Sequence, residues 1–177
     1  MDILLEFGQY IRFLKEVFSV DRILVPLDGS LLAESALAHA KKLYSAPEAT
    51  IFLLRIVPDL PIVPILGDPT IGGISIGAGS LGEAVNESIE NMIAEARKYL
   101  GKEAWKLQWD EVPVLWEVRQ GSPADEIARY AEENSIDMII MASKRVSGLT
   151  KFIIGSVTDK VLSATTIPVL VIKVTGS

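Results

Sequence analysis

Two apolar runs, Met138 to Met141 and Thr166 to Val174, lie on either side of a segment with helical periodicity. This strand–helix–strand unit constrains the fold more than any other feature, because a crossover of that length joins parallel strands. Parallel strands have both faces covered, and the first run, ending abruptly at polar residues, fits that setting. The loop between, 142–155, carries Lys144, Arg145 and Lys151 and no acid, in a chain of formal net charge −6. Gly155-Ser156 then opens a helix with Val157, Val161 and Ala164 at helical spacing. A helix start offers unbonded backbone N–H groups, here at Gly155 and Ser156, and the positive end of the dipole. Glycine at that point lets a ligand come close to the backbone. The sequence thus predicts an anion site at the carboxyl end of a strand.

The same alternation runs through the chain. Strands are expected near 22–27, 50–57, 112–119, 137–142 and 168–174, separated by four helical patterns, which predicts a five-stranded parallel α/β sheet. The first strand ends in Asp28-Gly29-Ser30, where Asp28 either accepts hydrogen bonds from a ligand or caps the next helix. That helix lines Ala33, Ala36, Leu37, Ala40 and Tyr44 along one face. The second strand, TIFLLRIV, is apolar except for Arg55. A helix from Leu81 to about Leu100 buries Val85, Ile89, Met92, Ala96 and Tyr99, and the charged stretch 101–110 with Trp105 and Trp109 has no assigned role. Ser122-Pro123-Ala124-Asp125 opens the next helix with an N-cap serine, an N1 proline and an early acid. Its face is Ala124, Ile127, Ala128 and Ala131, with Glu132 and Glu133 as solvated charges.

Two segments stand outside this frame. Residues 1–20 form an N-terminal amphipathic helix with Leu4, Phe7, Ile11, Leu14 and Phe18 on one stripe, expected to pack on the domain (21–177) or on a partner subunit. Residues 58–80 hold four prolines and five glycines, which forbid a continuous helix, yet are too apolar for a solvated linker. They are expected to cover the pocket or to form a dimer contact.

Composition narrows the chemistry. With no cysteine and a single histidine, His39, thiolate metal sites and cysteine nucleophiles are excluded. No G-x-S-x-G turn, metal cluster or Walker loop is present, so no catalytic role is expected. The acidic balance argues against nucleic-acid and anionic-membrane partners. No apolar run reaches the ~18 residues that span a bilayer, and no signal peptide is visible, so a cytoplasmic location is expected.

The stretch 138–174, together with the Asp28 tip and the GSPADEI…DMIIMAS segment, resembles the universal stress proteins. Their nucleotide-binding members carry G-x2-G-x9-G-(S/T) at this place. Gly155 and Ser156 match the final pair, while Ala142 and Arg145 stand where the first two glycines would be. The resemblance implies a doubly wound sheet of order 3-2-1-4-5 with the ligand crevice between strands 1 and 4, to which the N-terminal helix is an addition. It implies ATP as the ligand, with Pro26, Asp28, Ile56 and Met141 around the adenosine. Ala142, Arg145, Gly155, Ser156 and Val157 would lie along the phosphates. It also implies a homodimer paired through the last strand. The alternative is a dimeric stress-response or interaction module whose crevice is blocked, which the two missing glycines favour and the three loop cations oppose.

Overall fold

The computed structural model describes residues 20–43, 49–59, 70–71, 74–75, 78–108, 111–145 and 155–175. In chain order the elements are β1 (Arg22–Pro26), α1 (Leu31–Leu43), β2 (Thr50–Val57), β3 (Thr70–Ile71), β4 (Ile74–Ser75), α2 (Ala78–Gln108), β5 (Val114–Gln120), α3 (Pro123–Glu133), β6 (Met138–Arg145), α4 (Ser156–Ala164) and β7 (Val169–Thr175). β3 and β4 form a two-residue antiparallel pair within the Pro/Gly-rich segment. The other five strands make one parallel sheet in the order β5-β2-β1-β6-β7. Counted alone, these five give the order 3-2-1-4-5. The N-terminal helix expected over 2–18 lies outside the described residues.

The apolar runs explain the layering. Alternate residues of a strand point to opposite faces, so Ile23, Val25, Ile51 and Leu53 enter one core with Leu37 of α1 and Leu100, Ala104 and Leu107 of α2. Leu24, Phe52 and Leu54 enter a second core with Ile127, Tyr130 and Ala131 of α3 and Val161 of α4. The central strands are buried on both faces, so their continuous apolar runs are physically required.

Three elements differ in their bounds from the sequence reading. α2 starts at Ala78 and runs to Gln108 instead of spanning 81–100. Its buried stripe continues through Leu100, Glu103, Ala104 and Leu107, so Gly101 is no stop. Of its expected buried residues only Ala96 is fully enclosed; Val85, Ile89, Met92 and Tyr99 are half-buried. The third strand of the sheet begins two residues late, at Val114, because Pro113 has no N–H to give the ladder. β6 runs on past 142 to Arg145, since Ile139 to Arg145 pair one for one with Val169 to Thr175 of β7. Lys144 and Arg145 therefore stand on a strand and not in a loop.

Candidate functional site

β1 pairs with β2 along its whole length, but with β6 only at Ile23↔Met138 and Leu24↔Ile139. Beyond Leu24 the two strands part. This is the point where successive connections of the sheet run off in opposite directions, and open α/β sheets form their ligand crevices there. A cleft of about 450 Å³ occupies the gap, within the size range of small-molecule sites.

Of the nine residues predicted from sequence, Pro26, Asp28, Ile56, Met141, Ala142, Gly155, Ser156 and Val157 line the cleft. Arg145 stands on β6, but its side chain, that of Lys144, and Lys151 lie outside the described residues. Leu32, Leu54, Pro123, Ile127, Ser143 and Thr158 also line it without having been singled out. Most of these wall residues are apolar, so they carry no chemical signature in sequence.

The Asp28 turn is held by its own side chains. Asp28 Oδ1 accepts the Ser30 N–H at 2.9 Å, and Ser30 Oγ accepts the Ala33 N–H at 3.1 Å. Ser30, not Asp28, is therefore the residue that caps α1. Asp28 is exposed, and among the described residues none bonds its Oδ2. Gly29 has φ +88°, a conformation costly for residues with a side chain.

At the other side of the cleft α4 begins. The Gly155 N–H, expected to be unbonded, donates to Ser143 Oγ at 3.2 Å. Ser143 is 3% exposed. It sits on the same face of β6 as Ile139 and Met141, and reading the strand three residues further would have placed it there. Gly155 has φ −60°. Among the described residues, a Cβ added to it would meet nothing nearer than Thr158 Oγ1 at 4.0 Å. Nothing among the described residues thus requires glycine at this position. What the cleft offers is an apolar wall, one carboxylate and a helix start at its far end, a set suited to an uncharged ring carrying hydrogen-bond donors and an anionic group.

Among the described residues no helix is long and apolar enough to cross a membrane. The protein is similar to MJ0577 of Methanocaldococcus jannaschii, a universal stress protein, at 31% identity over 86% of this chain and 94% of that one. A solved structure of MJ0577 superposes with a TM-score of 0.70 at 27% identity, covering 89% of this chain and 99% of the other. An Arabidopsis thaliana protein of the same family, solved with AMP bound, shares the fold with a TM-score of 0.52 at 13% identity, over 86% of this chain and 90% of its own. The model of the universal stress protein family matches residues 19–173, from just before β1 to within β7. By that match the chain belongs to the universal stress protein family.

Proposed function

We propose that the cleft binds an adenine nucleotide, with ATP the expected form, as a regulatory ligand that is not turned over. The observation that carries this reading is the convergence, where β1 and β6 part, of apolar walls, the Asp28 carboxylate and the glycine-led start of α4. Asp28 Oδ2 accepts from a ribose hydroxyl or adenine amine. Pro26, Ile56 and Met141 cover the ring, and the α4 terminus meets the phosphate. Gly155 adds support, since neither its φ nor the described residues around it demand glycine, whereas a closely approaching phosphate does. Family membership, and the relative solved with AMP, agree with this reading.

A second reading, a dimeric module that binds no nucleotide, draws on Ser143, whose hydroxyl already takes the Gly155 N–H. Mass spectrometry of small molecules released from the denatured protein, with calorimetric titration of ATP and AMP, separates the two. Gly155→Ala should leave the unfolding free energy within about 0.5 kcal/mol of wild type and weaken binding of the phosphorylated ligand. No released nucleotide and no heat of binding would favour the second reading.

A further inference from the structure

Arg55 is the one charged residue in β2, and the cleft does not account for it. Its neighbours Leu54 and Ile56 line the cleft. Alternation along the strand therefore turns Arg55 to the opposite face, beneath the Asp28 turn. The guanidinium lies hard against Gly29: a Cβ built there would be 2.6 Å from Nη1 and 3.4 Å from Cζ. On its other side Cζ sits 5.0 Å from the centroid of the Tyr99 ring. Tyr99 in turn donates its hydroxyl to Glu34 Oε1 at 3.1 Å, on the first turn of α1. One flat cation thus joins β2, α2, the start of α1 and the turn that presents Asp28.

We propose that Arg55 is a positioning residue for the cleft: stacked on Tyr99 and pressed against Gly29, it sets the height at which Asp28 meets the ligand. The identity of that ligand rests on the nucleotide reading; the support of the turn does not. The Asp28–Ser30 turn is fastened to α1 by short hydrogen bonds within the turn itself. The Leu27 N–H bond to Leu54 O at 2.8 Å ties the start of the turn to β2, and the planar guanidinium lies beneath its tip at Gly29. Guanidinium is suited to this, because it stacks on an aromatic ring and presents a flat surface to backbone. Glycine above it is favoured by its φ of +88°, and its lack of a Cβ leaves open the space in which Nη1 lies.

Two measurements on the full chain test this. Amide hydrogen exchange of Arg55→Met should show faster exchange at the Ser30 N–H, which Asp28 accepts, with core amides of β1 and β2 unchanged. Calorimetry with AMP should show Arg55→Met weakening binding about tenfold, the loss of one good hydrogen bond through Asp28. In an Asp28→Asn background the same substitution should have no further effect, because the route through Asp28 is already cut. Arg55→Lys keeps the charge but not the plane and should recover only part of the loss. Unchanged Ser30 exchange, or an equal loss of affinity in the Asp28→Asn background, overturns the proposal. If the wild type binds no AMP while Ser30 exchange still accelerates, the positioning role stands and the nucleotide reading falls.

Discussion

Arg119 serves three carboxylates at once. Its Nε meets Glu117 at 2.8 Å, its Nη2 meets Glu133 at 2.6 Å, and Nη1 lies 4.0 Å from Glu126. The guanidinium also lies over Tyr130, 4.6 Å from the ring centroid. Glu126 is 7% exposed; its Oε1 pairs with Arg129, and among the described residues its Oε2 has no hydrogen bond. Arg119 thus offsets, together with Arg129, a cluster of like charges joining β5 to α3. Arg119→Met should cost about 1–2 kcal/mol in urea unfolding, because it leaves the buried Glu126 to Arg129 alone and takes the nearest cation from the half-exposed Glu117 and Glu133. Arg119→Lys should recover little, as one ammonium cannot serve a three-sided fork. Tyr99 supplies a pH-dependent counterpart. Burial first, and its bond to Glu34 second, push its phenol well above the ordinary tyrosine value. A folded pKa raised above the unfolded one gives stability that is complete below the unfolded pKa, about 10, and is lost as pH rises through the folded pKa. Tyr99→Phe should therefore flatten the fall in unfolding free energy above pH ~10. It should not abolish that fall, because burial also raises Tyr130. A slope identical to wild type would refute the assignment.

At the scale of elements, what could be read in the sequence was what hydrophobic period and turn chemistry encode. The five apolar runs, the Pro123-led helix and the Asp28 tip follow from side-chain pattern alone, and they locate the cleft. Strand order does not, because pairing between β1 and β6 is chosen by packing across more than a hundred residues; only the family resemblance supplied it. Glu103 and Glu126 were not read as buried acids, although their cations, Lys106 at 2.7 Å and Arg129, stand one turn further along the same helices; which part of a helix surface the sheet covers is set by packing. The end of β6 was missed for a related reason. Ser143, Lys144 and Arg145 are polar and read as loop, but ladder pairing with β7 overrides their preference. Ser143→Ala tests what that extension does at the cleft. It removes the acceptor of the Gly155 N–H and should cost about 1 kcal/mol of stability if the amide is left unpaired. It should also free that N–H for an anion, so titration with AMP should show tighter binding to Ser143→Ala than to wild type. Unchanged affinity would mean that the Gly155 amide takes no part in binding.

For the whole molecule, the sheet presents two edges, β5 and β7. Unpaired edge backbone invites association unless it is blunted by charge or covered. β5 carries Glu117 and Arg119, whose charges guard it, although Leu115 and Trp116 are 56% and 42% exposed. β7 reads VLVIKVT, with Lys173 as its one charge and its apolar residues only half-buried. The less guarded edge is therefore β7, and a homodimer joined there is the expected assembly. Val171 is the position to test, because Val169, Leu170 and Ile172 pack against the two cores whereas Val171 belongs to neither. Val171→Lys should keep the fold by circular dichroism and shift light scattering from dimer to monomer at micromolar concentration. The wild type should also melt at a temperature that rises with protein concentration, since association stabilises only the folded chain, and the variant should lose that dependence. A monomeric wild type would remove the dimer. A Val171→Lys protein that remains dimeric would move the interface to another surface, with the exposed Leu115 and Trp116 of β5 the next place to look.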